Sequence, residues 1–233
     1  MIALYTPFGY NLTNMPRPST IAVDGPVASG KSTISRMLAR RLGYRYVDTG
    51  MMYRAVTWKA LQGGVDLEDE GGLTHLVGGT AIHITSDAVV VDGHDVSSEM
   101  RRLEVERGVS LVAKVSTVRE ALVEQQRALA QGGGIVMAGR DIGTVVLPDA
   151  ELKVYLCASL EERARRRHRE LVERGDSADF QTVLDDLQRR DDIDSKRAVS
   201  PLQPAHDARL IDTDGLSVEQ VLAAILRLME DDR

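Results

Sequence analysis

The sequence predicts an α/β fold: a parallel five-stranded sheet with helices on both faces, a small antiparallel insert and a helical lid. Three observations predict it. Short β-branched runs alternate with longer segments of helical period, the pattern of a parallel sheet buried between helix layers. The first run ends on a glycine-rich turn that opens directly into a helix. One stretch breaks the alternation with hairpin-like strand pairs, which a plain βαβ repeat does not contain. At 233 residues and 43 % hydrophobic, the chain can bury one domain's core without a metal or disulfide staple. Aromatic residues make up only 4 %, so that core must be aliphatic.

The elements follow in order. Thr20–Asp24 reads as a buried strand. Ile34, Leu38 and Leu42 give Ser32–Arg41 a helical period, and Gly43 stops it. Tyr44–Val47 is a second strand, and Met51–Gln62 a helix ending at Gly63-Gly64. Ala81–Thr85 and Val89–Val91 are strands beside the turn pairs Ser86-Asp87 and Asp92-Gly93. Asp66 to about Val96 is therefore expected to be antiparallel, inside an insert of about residues 62–115. Ser98–Gln131 is helical with a break near Val115–Ser116, and Ile135–Ala138 and Leu152–Leu156 are buried strands. Ser159–Glu173 and Phe180–Asp192 are charged helices around the Gly175–Asp179 loop, forming a lid of about residues 160–192. Arg209–Asp212 is the last strand. Ser217 and Gln220 match a capping box for a final helix to about Met229. Residues 19–233 thus form a single domain. Residues 1–18, with Asn11, Asn14, Pro16 and Pro18, are expected to be a disordered tail.

Composition excludes several functions. A formal net charge of −6 argues against general affinity for nucleic-acid backbones, while leaving room for a small basic cleft. No apolar run reaches the roughly 18 residues of a membrane-spanning helix, and the first 18 residues do not read as a signal peptide. Cys157 is the only cysteine, so no intramolecular disulfide forms and a cytoplasmic location is expected. The five histidines are scattered, none at metal-ligand spacing with Cys157.

Gly25-Pro26-Val27-Ala28-Ser29-Gly30-Lys31-Ser32 fits G-x-x-x-x-G-K-[ST] without a mismatch, between a strand and a helix. Gly25 and Gly30 allow backbone angles that turn several N–H groups inward, and the helix N-terminus adds partial positive charge. Lys31 reaches β- and γ-phosphates, Ser32 offers a hydroxyl to Mg²⁺, and Thr33 lies near the α-phosphate. This phosphate loop specifies a nucleoside triphosphate and leaves the following step open. No N-K-x-D guanine motif and no L-S-G-G-Q transporter signature is present, and Asp212–Gly215 matches D-x-x-G by chance.

Two arginines sit at strand ends, Arg54 after the second strand and Arg140 after the third, aimed at the same crevice as the loop. Their guanidinium forks suit an acceptor phosphate. Arg190, Asp194 and Arg197 fall on one helical face by spacing, offering cations for phosphate and a carboxylate for sugar hydroxyls. The run Arg163, Arg165, Arg166, Arg167, Arg169 is the densest charge, and part of it suits a lid over a transferring phosphoryl group. Kinases for AMP, dTMP or shikimate, and a slow nucleotide-dependent switch, are competing readings.

The motifs GPVASGKST at 25–33, DTGMMYR at 48–54, DVSSEMR at 95–101, VREALVEQQR at 118–127, GRDIGTVVLPDA at 139–150, SLEERARRR at 159–167 and RRDDIDSKRAVSPL at 189–202 together resemble the bacterial cytidylate kinase family, a branch of the nucleoside monophosphate (NMP) kinases. The resemblance spans nearly the whole chain from Ser19. It implies a P-loop NTPase-type core with an NMP-binding insert and an arginine-bearing lid. It implies ATP and CMP or dCMP as substrates and Mg²⁺ as cofactor. A monomer with no nucleic-acid or membrane partner is expected. Ser110, Arg119 and Asp141 would meet the cytosine, with Thr49 and Tyr53 beside the CMP. Arg54, Arg140 and Arg197 would hold its phosphate, and Asp194 with Arg190 its ribose. Arg163, Arg166 and Arg167 match lid arginines: Arg166 would serve ATP, and Arg163 and Arg167 would join Lys31 and Arg140 in catalysis. Cytosine offers an amino donor to Asp141, whereas uracil would oppose it with a carbonyl, so UMP should be a poor acceptor.

Overall fold

The computed structural model describes residues 18–85 and 88–231. The expected tail up to residue 17 and the Ser86-Asp87 turn lie outside the described residues.

The chain opens with strand β1 (Thr20–Asp24) and helix α1 (Lys31–Leu42), which ends on Gly43 at φ 72°. Strand β2 (Arg45–Asp48) leads without a loop into α2 (Thr49–Gln62). Asp48 accepts the N–H of Gly50 at 3.0 Å, and this cap starts the helix ahead of the expected Met51. The stretch after Gly64 departs from the expected purely antiparallel piece. Helix α3 (Glu70–Gly78) comes first, capped by Asp69 and burying Leu73 and Val77. The meander β3 (Ile82–Ile84), β4 (Val89–Val91) and β5 (His94–Asp95) follows as a three-stranded antiparallel sheet. Val89, Val91 and Met100 pack with Ala55 of α2. Helices α4 (Leu103–Lys114) and α5 (Ser116–Ala130) meet at the expected break, Val115.

Strands β6 (Ile135–Gly139) and β7 (Leu152–Cys157) return to the large sheet. Helix α6 (Leu160–Glu173) packs on α7 (Phe180–Lys196) through Ala164, Leu171, Val183 and Leu187. Because α7 runs on to Lys196, Arg190 and Asp194 are both helical. Arg197 is not: it stands just past the helix end with extended backbone, φ −64° and ψ 142°, which corrects the expectation of one helical face for all three. Strand β8 (Arg209–Asp212) and α8 (Val218–Asp231) complete the chain. Both bonds of the capping box form at its start: Gln220 N–H to Ser217 Oγ at 3.3 Å, and Ser217 N–H to Gln220 Oε1 at 2.8 Å.

The large sheet has the order β2-β6-β1-β7-β8 and is parallel at every pairing. Side chains alternate across it. Ile21 and Val23 join Leu38 of α1 and Val221 and Ile225 of α8 on one face, whereas Ala22 joins Met137, Val123 and Ile142 on the other. Helices therefore cover both faces, and the strands' carboxyl ends share one edge, where Asp24 pairs in register with Gly139.

Candidate active site

That edge opens into a cleft of about 790 Å³. The phosphate loop forms one wall. Gly25 takes φ 153°, and a Cβ there would lie 2.3 Å from the carbonyl oxygen of Leu156, so only glycine fits. Ala28 and Gly30 also adopt positive φ, 59° and 89°. Helix α1 starts on Gly30 with no side-chain cap and no acidic residue in its first turn, leaving its N–H groups for an anion. Lys31 is buried, with its Nζ donating to the Pro26 carbonyl at 2.9 Å. Burial, then nearby Arg140, Arg54 and Arg190, lower its pKa well below that of an ordinary lysine.

The opposite wall comes from the ends of β2 and β6 and from α4, α5 and α7. Arg54 and Arg190 each bury an Nε that has no hydrogen-bond partner among the described residues. Burial and the cations Arg140 and Arg54 bring Arg190 down to about 10. Arg140 donates from Nε to Asp194 Oδ2 at 2.9 Å. Burial opposes ionisation of Asp194, but Arg140, Arg190 and Arg197 outweigh it and hold its carboxyl below the usual range. Deeper in, Arg119 is 2 % exposed and bonded to Asp141, and its guanidinium lies over the Tyr53 ring at 5.3 Å. Burial pushes the Tyr53 phenol up to about 12. Arg197 Nη2 stands 3.8 Å from Asp141 Oδ1, and Thr49 donates to the Ala138 carbonyl at 3.0 Å. Cations crowded to the point of depressing one another's pKa make a strong anion site.

The cleft thus gathers Val27 through Thr33, Thr49, Tyr53, Arg54, Ser110, Arg119, Arg140, Asp141, Arg166, Arg167, Arg190, Asp194 and Arg197. Gly25 and Pro26 shape the loop from behind. Arg163 is also behind it, bonded to the carbonyls of Ala158 and Val27 and at 2.7 Å to Asp191. Arg166 bonds Glu162 and both the hydroxyl and carbonyl of Thr213, while Arg167 bonds Glu106 and Glu170. The run's Arg165 and Arg169 are exposed.

Sequence reasoning passed over Asp48, Glu106, Thr213 and Leu216, which also line the cleft. Thr213 and Asp48 had a usable signal, because each sits at the carboxyl end of a parallel strand. Glu106 had none, since its partner lies in a different helix.

Mg²⁺ fits the oxygen donors here. Ser32 Oγ is 2.9 Å from Asp48 Oδ2, a hydroxyl and a carboxylate of the hard type this ion prefers. Among the described residues there is no cluster of three or more His, Cys, Asp or Glu placed to hold a metal.

The cytidylate kinase family model matches residues 21–231. A cytidylate kinase of Pelotomaculum thermopropionicum is 53 % identical over 211 residues, covering 88 % of this chain and 93 % of that one. One from Geobacillus thermodenitrificans is 50 % identical over 221 residues, 93 % of this chain and 99 % of that one. A third, from Geobacillus sp., is 51 % identical over 215 residues, 91 % of this chain and 96 % of that one. No helix among the described residues is long and apolar enough to cross a membrane.

Proposed function

Since this chain belongs to the cytidylate kinase family and is a nucleoside monophosphate kinase, we propose that it moves the γ-phosphoryl group of ATP in line onto the phosphate of CMP or dCMP. One observation carries the reading: an amide-lined phosphate loop faces, across one cleft, a second pocket walled by arginines and floored by the Arg119–Asp141 pair.

Residues 25–33 hold the triphosphate, and Arg166 faces the donor nucleotide. Arg54, Arg140 and Arg197 hold the acceptor phosphate, Asp194 and Arg190 the sugar, and Ser110, Arg119 and Asp141 the base, with Thr49 and Tyr53 supporting them. Asp141 accepts from the cytosine amino group while Arg119 donates to ring acceptors. Ser32 and Asp48 would hold Mg²⁺, which would supply neutralisation of the phosphate charge. Lys31, Arg140 and Arg167 offset the charge that develops during transfer, and Arg163 acts through the loop carbonyl it grips. No side-chain nucleophile is needed; positioning two phosphates is the main task. The insert spans about residues 62–115 and the lid about 160–192. Both walls come from one chain, so a single copy carries the complete site; the working form we propose is a cytoplasmic monomer.

The test is ATP consumption with CMP, dCMP, UMP and AMP as acceptors, with Mg²⁺ present. CMP and dCMP should exceed UMP and AMP by at least about tenfold in kcat/KM. ATP turnover independent of any acceptor would overturn the reading.

A further inference from the structure

Asp24 is a buried charge to which the phosphoryl transfer gives no task. It ends β1 immediately before Gly25 and is only 4 % exposed. Among the described residues it forms no ion pair. Its two oxygens instead accept the backbone N–H groups of Ile142 and Gly143, each at 2.8 Å. Burial pushes its carboxyl up to about 6 against the pull of those two bonds. The gripped residues follow directly on Arg140 and Asp141, whose side chains enter the cleft toward Asp194 and Arg119. They begin a single wide, π-type helical turn, Ile142–Val146, whose N–H groups at 145 and 146 return to the Asp141 carbonyl at 2.9 and 3.1 Å. A buried carboxylate is costly unless fully hydrogen-bonded, and here both oxygens serve one turn.

We propose that Asp24 is a positioning residue: its carboxylate clamps the 140–143 backbone to the strand that carries the phosphate loop and so holds the acceptor pocket in register with the donor loop. This rests on the proposed two-nucleotide reading of the cleft. Asp24 touches neither substrate and acts through Arg140 and Asp141.

Asp24→Asn keeps the shape but leaves one acceptor oxygen, turning an amide donor toward the second N–H. With each substrate varied in turn, KM for CMP should rise about tenfold and the CMP-over-UMP preference should fall, while KM for ATP stays within about twofold. An unchanged KM for CMP would overturn the proposal, and so would equal rises for both substrates, which mark a deformed loop. Gly143→Ala is the second variant, in case Asp24→Asn does not fold. Its Cβ would stand 3.1 Å from Lys153 Cδ and 3.4 Å from Asp24 Oδ2, crowding the clamp without removing the charge. It should show the same split, about threefold in size. The comparison uses whichever monophosphate the wild type accepts best, so a different preferred acceptor would refute the proposed function and leave this test intact.

Discussion

On the proposed function, Lys31 is the residue on which transfer depends most directly. It is buried among cations that lower its pKa, so its charge gains most when a triphosphate arrives. Lys31→Met should cut kcat by at least about 10³-fold while the dissociation constant for CMP, read by calorimetry, changes less than about threefold. A variant retaining most of its turnover would remove Lys31 from catalysis. Asp24 carries a second residue-scale prediction. Burial sets its folded pKa at about 6 against an ordinary 3.8, opposed by the Gly143 and Ile142 bonds and by Lys31, with the Asp141 charge adding to the rise. Between those values the folded chain holds a proton that the unfolded chain has lost. The stability contributed by this group is therefore complete below about pH 4 and lost as pH rises through 6. Asp24→Asn cannot titrate, so between pH 4.5 and 7.5 it should gain about 2 kcal/mol relative to wild type in urea unfolding. A pH-independent difference would contradict the raised value.

At the scale of elements, local chemistry decided what could be foreseen. The phosphate loop, β1 and α1 are contiguous in the chain, and Gly25, Gly30 and Gly43 mark their joints, so all three were legible. The Ser217–Gln220 box likewise announces α8 within four residues. Ser217→Ala should cost about 1 kcal/mol, seen as a lower thermal midpoint, because it orphans the Gln220 N–H. A midpoint shift near zero would show that the cap is dispensable. Helix α3 was not legible: Gly71, Gly72 and Gly78 give it poor propensity, and it forms through the Asp69 cap and the burial of Leu73 and Val77 beside α2 and α5. Arg197 was misplaced for the opposite reason, since a regular spacing continued on paper beyond the point where the backbone leaves the helix. Arg54 and Arg140 were legible as cleft-lining residues because strand ends share an edge. The Asp24 clamp, 118 residues long in sequence, and the Glu106–Arg167 pair, 61 residues apart, exist only after folding.

Over the whole molecule, the cleft is bridged at its mouth. Helix α4 meets α6 and α7 through the largely buried Glu106–Arg167 pair, through Arg107 Nε to Asp186 at 3.1 Å, and through Arg189 to the Arg107 carbonyl at 3.3 Å. Arg174 reaches the Arg101 carbonyl at 2.7 Å on the same side. The exposed members of this seam are each worth at most about 1 kcal/mol and are screened by salt, so most of the restraint falls to Glu106. Arg167 has a further partner in Glu170, at 2.7 Å within its own helix, so losing Glu106 frees α6 from α4 without leaving the arginine unpaired. Glu106→Gln should therefore speed amide hydrogen exchange across α6 by about five- to tenfold in the substrate-free enzyme. Exchange in α1, packed on the far face of the sheet, should not change. Raising salt should accelerate α6 exchange further in both proteins through the Arg107–Asp186 contact. If α6 exchanges at the same rate with and without the Glu106 carboxylate, the seam does not hold the two walls together, and opening of α6 is governed by the Leu171–Val183 packing instead.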